Sequence, residues 1–329
     1  MTRPLAGAAL LAVALGLALA AGLAFGAAPL SPSAVWSALA GTGTDPGAVT
    51  IVRSIRLPRV TAGALTGGAL ALSGVLFQAL LRNPLAEPYL LGVSSGAAFG
   101  AVAALTVIGP ALGAVTTGAF AFAGGLLAIA VVFRVAWSVG RVDTRVLILA
   151  GVVVSAFFGA GVMLLLALAR GDAFRAAVLW TMGSLDGTTW SGVGLLASCT
   201  TVVALVALAL ARHLNALALG EEAAAHLGTP VEPVKRIAYV VASLAAAITV
   251  SVAGVIGFVG LVVPHAVRLV WGSDHRTLIP LSLLAGGLTL VVADTVAQTA
   301  ARPLVLPIGV VTAVLGVPLF LVLLRRSHA

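Results

Sequence analysis

The stretch VLILAGVVVSAFFGAGVMLLLALA, residues 146–169 between Arg145 and Arg170, decides the fold. None of its 24 residues is charged. A helix rising about 1.5 Å per residue crosses a bilayer core in about 20 residues. The run does not alternate between polar and apolar residues, so it is no strand of an outer-membrane barrel. Outward from it, uncharged runs separated by Arg, Asp, Glu, Pro and Gly mark spans near 5–28, 60–81, 90–108, 114–137, 146–169, 191–211, 237–255, 258–272, 278–298 and 307–324. Gly109-Pro110 divides the third from the fourth, and Gly254, Gly257 and Gly260 divide the seventh from the eighth. The expectation is an all-α polytopic membrane protein of about ten transmembrane helices, forming one domain over residues 1–329.

Composition agrees. Of 329 residues 61% are hydrophobic and 9% charged, with a mean hydropathy of +1.18. Soluble domains carry about 25% charged residues, so soluble, disordered and fibrous classes are excluded. The net charge of +8 is scattered between apolar runs rather than gathered in a stripe, which argues for topogenic loops and against nucleic acid. Residues 5–28 are too long for a signal-peptide core of about 7–15 residues, and are read as a retained first span. With the N-terminus inside, twelve of the 18 Lys and Arg residues fall on the inner side and six outside. That bias puts both termini in the cytoplasm. Three of the six outer charges, Arg53, Arg56 and Arg59, crowd into one loop. At an offset of 180, Gly74, Val75, Leu81 and Pro84 recur as Gly254, Val255, Leu261 and Pro264, on spans that run in opposite directions. Inverted repeats of five helices are a known transporter architecture.

Catalytic chemistry is absent from the pattern. Gly92-Val93-Ser94-Ser95-Gly96 matches G-x-S-x-G, but it opens an apolar helix instead of following a buried strand. The five His residues never pair with carboxylates at metal-ligand spacing. A phosphate-binding loop needs Gly before Lys, and the one lysine, Lys235, follows Val234. If ATP drives the protein, another chain binds it. Asp294 alone lies well inside a span, which is slender support for an ion-coupled secondary transporter, the alternative reading. Gln78, Asn83 and Gln298 either line a path or bridge helices.

The segment Arg56-Leu57-Pro58-Arg59, continued by GALALSGVLFQALLRNPLAEPYLLGVSSGAA (68–98), resembles the permease subunits of bacterial ATP-binding-cassette importers for iron–siderophores, haem and cobalamin. GEEAAAHLG (220–228), GVIGFVGLVVPHAVRLVWGSDHR (254–276), Asp294 and LPIGVVTAVLGVPLF (306–320) follow in the family's order. The resemblance implies ten helices in each of two subunits around a homodimeric or pseudo-dimeric pore, with a homodimer the expected form here. It implies two ATPase subunits, which carry the ATP and magnesium, and a periplasmic or lipid-anchored substrate-binding protein, all at the bacterial inner membrane. The cargo it implies is a ferric siderophore or haem, with cobalamin also within the class; no cofactor is implied for this chain.

Residue by residue, the resemblance makes 212–236 a cytoplasmic coupling loop. Within it Gly220, Glu221, Glu222, His226, Leu227 and Gly228 belong to a short helix that docks in the ATPase. Ala223 to Ala225 favour a helix there, and Gly228-Thr229-Pro230 stops it. Arg56 and Arg59 match the family's external arginines, which meet acidic residues of the binding protein. Arg302 stands in for a third, because this chain has Gln298 where the family commonly has Arg. Anchoring to lipid phosphate is the alternative for the arginine cluster. Gln78, Asn83, Leu85, Asp143 and Thr144 are the candidates for a gate or path, although Pro84 equally well just ends a helix.

Overall fold

The computed structural model describes residues 2–109, 111, 113–138 and 141–327. Fourteen α-helices are found among them. Ten make the membrane body: α1 (Thr2–Ala24), α4 (Leu57–Leu80), α5 (Val93–Ala103), α6 (Gly113–Ala136), α7 (Thr144–Leu168), α9 (Trp190–Leu217), α11 (Val231–Ala253), α12 (Val259–Trp271), α13 (His275–Thr299) and α14 (Ile308–Ser327). Four short ones lie between them: α2 (Pro32–Ala40), α3 (Pro46–Thr50), α8 (Gly171–Thr181) and α10 (Glu221–His226). A two-residue hairpin, β1 (Trp137–Ser138) with antiparallel β2 (Arg141–Val142), joins α6 to α7. Seven helices are long and apolar enough to cross a membrane; α12, α14 and α5 with its π-helical end Ala104–Ile108 are shorter apolar helices. The ten expected spans are thus all helical. The third ends where expected, at Gly109 with φ +111; Pro110, the other half of that breaker, lies outside the described residues.

Helix α4 is the axis of the bundle, buried along nearly its whole length and packed by α9, α11, α12 and α13. Its close contacts depend on glycine. A Cβ on Gly74 would overlap the Gly260 carbonyl of α12, and one on Gly67 the Gly286 carbonyl of α13, so small residues let these backbones touch. The pairing is repeated in the two halves: α4 packs on α13 as α11 does on α6, while α5 packs on α6 and α7 as α12 does on α13 and α14. The four sequence identities at offset 180 are nonetheless not equivalent positions. Gly74 lies inside α4 but Gly254 caps the end of α11, and Pro84 lies in a connection but Pro264 inside α12. The repeat resides in helix order and packing.

Three segments correct the expected layout. Residues 46–80 form one continuous helical rod, because a π-helical stretch, Ile51–Arg56, joins α3 to α4. Arg53, Arg56 and Arg59 therefore sit on a helix and not in a loop. Pro58 is tolerated inside this rod because it lies just after the π-helical stretch, where the regular i→i−4 ladder is already interrupted. Helices α2 and α3 start from Ser31-Pro32 and Asp45-Pro46, with each polar side chain capping the N-terminus and proline opening the helix. Helix α9 continues to Leu217, so the connection to α11 is shorter than 212–236. Gly7 at the start of α1 meets Trp271, and Gly309 at the start of α14 meets Met182. The start of α1 and the end of α14 consequently lie at the end of the bundle that carries α10, opposite the end that carries Arg59.

Candidate functional site

At the α10 end the chain leaves α9, turns, and enters α10 through Gly220, whose φ of +114 suits glycine. The helix stops in a Schellman arrangement: Thr229 N–H donates to Ala224 O and Gly228 N–H to Ala225 O, both at 2.9 Å, with Gly228 at φ +79. This is the stop that Gly228-Thr229-Pro230 leads one to expect. Ala224 is turned into the protein, while Glu222, Ala225, His226 and Leu227 are exposed. Leu219 and Leu227 flank α10 at 70% and 65% exposure, an apolar pair held out at either side of a short polar helix.

Behind α10 opens a cavity of about 1280 Å³. Gly220, Glu221, Glu222 and His226 form one wall, Asp143, Thr144 and Arg145 another, and Arg82, Glu232 and Lys235 also line it. The structure thus joins two groups of residues that the sequence kept separate, the coupling set and two of the gate candidates. Asp143 caps α7, accepting the N–H groups of Arg145 at 2.8 Å and Val146 at 3.2 Å. Those bonds hold its carboxyl below the usual range. Lys235, buried to 3% exposure, bonds Val142 O at 2.5 Å, Glu221 at 3.0 Å and Glu232 at 3.4 Å. The sequence reading gave Lys235 and Glu232 no role; the signal was available in the uniqueness of that lysine.

The other gate candidates are placed differently. Gln78 is buried between α4 and α12, donating to Leu261 O at 3.2 Å and accepting from Arg268 at 3.0 Å. It is a bridge, with both ends of its amide engaged. Asn83 is exposed and closes a turn by accepting Leu85 N–H at 2.9 Å; neither residue walls the cavity. Glu87 and Tyr89, quoted within the motif but given no task, brace the non-helical segment between α11 and α12. Glu87 accepts Phe258 N–H at 2.7 Å, and the Tyr89 hydroxyl binds both backbone groups of Ile256. Phe258 needs that support, since φ +68 is unusual for a residue with a side chain.

At the opposite end the three arginines each close a different gap. Arg53 donates to Ala38 O at 2.7 Å and Leu39 O at 3.2 Å, at the C-terminus of α2. Arg56 donates to Leu23 O at 2.6 Å, Ala24 O at 3.0 Å and Ala28 O, at the C-terminus of α1. A cation there meets the unpaired carbonyls and the negative end of the helix dipole. Arg59 forms a two-pronged pair with Asp294 of α13, Nε to Oδ2 and Nη2 to Oδ1, each at 2.8 Å, and its Nη1 meets Asp186. Gln298 adds a 2.7 Å bond to Asp294. Arg56 and Arg59 are buried, so in the chain by itself both guanidiniums are turned inward and satisfied. Arg302 is exposed. Asp294 is thus held by both Arg59 and Gln298.

Comparison with known proteins agrees with this architecture. Residues 11–326 match the model of the FecCD transport family. The chain is 48% identical to the cobalamin import system permease of Halobacterium salinarum, over 84% of this chain and 74% of the relative. It is 39% identical to the hemin transport system permease of Yersinia pestis, over 92% and 90%. An ATP-binding-cassette transporter of the metal-chelate type, solved facing inward, superposes with a TM-score of 0.86 at 30% identity, covering 97% of this chain and 98% of that one. From its matched length, its ten apolar helices and these relatives, the chain belongs to the FecCD transport family and is the multi-pass permease component of an ATP-binding-cassette importer.

Proposed function

We propose that the chain works as a pair of identical copies enclosing a path for a bulky metal chelate. In this reading two separate ATPase subunits, holding ATP and magnesium, engage α10, and a binding protein delivers cargo to the Arg59 end. The observation that carries it is α10 itself. A six-residue helix with Glu222, His226, Leu219 and Leu227 held outward, backed by a cavity, has the form of a part built to be gripped. The α10 end is then cytoplasmic, with both termini and twelve of the 18 basic residues, and the membrane is the bacterial inner membrane. Asp143 and Thr144 face the coupling helix across the cavity and belong to the moving inner mouth. On the outer face the exposed Arg302 offers its charge to an acidic binding protein. Arg56 and Arg59 shape that face from within, and would contribute charge only by giving up bonds they already make.

Cobalamin is the first cargo to test. A relative named for cobalamin import is 48% identical, whereas those named for hemin and iron(3+)-hydroxamate are 39% and 37% identical. The test is reconstitution of the chain with its ATPase and binding protein in proteoliposomes, followed by uptake of cyanocobalamin, haemin and ferrichrome. ATP-dependent accumulation of one chelate supports the reading. Accumulation driven by an ion gradient without the ATPase refutes it.

A further inference from the structure

Lys235 lies one turn inside α11, the one lysine among the chain's 18 Lys and Arg residues. Its ammonium reaches three acceptors on three elements: Val142 O of β2, Glu221 Oε1 of α10 and Glu232 Oε1 of α11. Glu232 closes the triangle, since its other oxygen accepts Val142 N–H at 2.8 Å. A lysine ammonium sends its three protons in diverging directions, whereas a guanidinium holds its five N–H donors in one plane. The next residue, Arg236, stands 3.6 Å over the ring of Trp137 in β1, and Trp137 packs on Phe133 of α6. Two consecutive residues of α11 thus hold both strands of the hairpin that joins α6 to α7.

Helix α10 packs on α9 and α11, and the cavity separates it from the start of α7. The ion pair at Lys235 spans from α10 to the hairpin beside that gap. We propose that Lys235 is a positioning residue that passes displacement of α10 into the β1–β2 hairpin, and so into α6 and α7. The inference rests on the reading of α10 as the ATPase contact and adds the route by which its movement enters the membrane body. It also assigns the choice of lysine a reason: the acceptors on β2, α10 and its own helix suit an ammonium, whose three protons diverge.

The experiment uses the complex of this chain with its ATPase and binding protein in proteoliposomes, with cyanocobalamin as probe and Lys235→Met, Lys235→Arg and Glu221→Ala as variants. Uptake per ATP hydrolysed falls about tenfold in Lys235→Met and Glu221→Ala, within the usual span of coupling between sites. Lys235→Arg fails to restore it, since guanidinium donors all lie in one plane and cannot diverge toward these acceptors as an ammonium's protons do. A second readout needs no cargo: a spin-label pair at positions 222 and 145 measures the width of the cavity through the ATP cycle. That width stays fixed in the parent chain, because its walls move together, and changes with nucleotide in Lys235→Met. Should Lys235→Met fail to insert, Glu221→Ala removes only the α10 arm and its result decides. A parent chain that couples, beside variants with equal uptake per ATP and an unchanged 222–145 distance, overturns the inference alone. A parent chain that retains no ATPase overturns the permease reading and the inference together.

Discussion

Replacing Asp294 by alanine should be among the most damaging single changes outside the glycine contacts. The Arg59 and Asp294 side chains are 9% and 3% exposed, and the substitution deletes two bonds of 2.8 Å together with the 2.7 Å bond from Gln298. What remains is a buried guanidinium whose other carboxylate, Asp186, is 60% exposed. Removing one member of a buried pair costs about 3–5 kcal/mol, because the survivor stays desolvated. Removing the exposed partner by Asp186→Ala should cost only about 0–1 kcal/mol. The double variant Arg59→Met with Asp294→Leu should cost far less than the sum of its parts, since a well-packed apolar pair replaces a buried ion pair at little or no loss. Unfolding by SDS in mixed micelles, followed by the fluorescence of the five tryptophans, measures all four proteins. Equal effects of Asp294→Ala and Asp186→Ala would show that water reaches the pair, and the argument from burial would fail.

Gly74→Leu should abolish folding, because any side chain there overlaps the Gly260 carbonyl and overpacking typically costs about 1–3 kcal/mol even where neighbours can shift; normal membrane yield and detergent stability would refute it. Gly228→Pro should unseat α10 and break ATPase association while the chain still inserts, as φ +79 is closed to proline; pull-down with a tagged ATPase decides, and wild-type retention would reduce 220–228 to a plain loop. Arg302→Glu should weaken binding-protein association mainly at low salt, a dependence that surface-plasmon titration reads directly. Asp274 caps α13, and the bonds from the Asn215 amide at 2.7 Å and the Arg276 N–H hold its carboxyl below the usual range. A carboxyl with a lowered folded-state pKa adds stability above its unfolded pKa and loses it as pH falls through the folded one. Asp274→Ala should therefore destabilise at neutral pH and flatten the acid limb of the stability profile; a parallel, unflattened limb would exclude the linkage.

The membrane helices were legible because charge-free length is a one-dimensional property, and even the short eighth span, expected at 258–272, forms a helix at Val259–Trp271. Helices α2 and α3 went unread although Ser31-Pro32 and Asp45-Pro46 are start signals, since attention to hydropathy passes over polar caps. The arginine cluster shows what a sequence cannot display. Spacing of three places Arg53, Arg56 and Arg59 along one rod, but their acceptors, Ala38 O, Leu23 O and Asp294, come from three other elements. Charges that read as outward-facing are the ones used inward. Within the coupling region the glycine stop and the polar helix followed from local rules, while the Lys235 triangle, tying residues 142, 221, 232 and 235, depends on tertiary contact.

The distance along the chain between Arg59 and Asp294 bears on how the protein is made. The two are 235 residues apart, and at about 5–20 residues per second a ribosome needs on the order of 10–50 seconds to travel between them. During that interval the early helices are already in the bilayer with a guanidinium lacking its main counter-ion. Glu87 and Tyr89 likewise wait for residues 256 and 258. The first half therefore lacks these partners for much of its synthesis, and the Arg59 pair is completed only when α13 arrives.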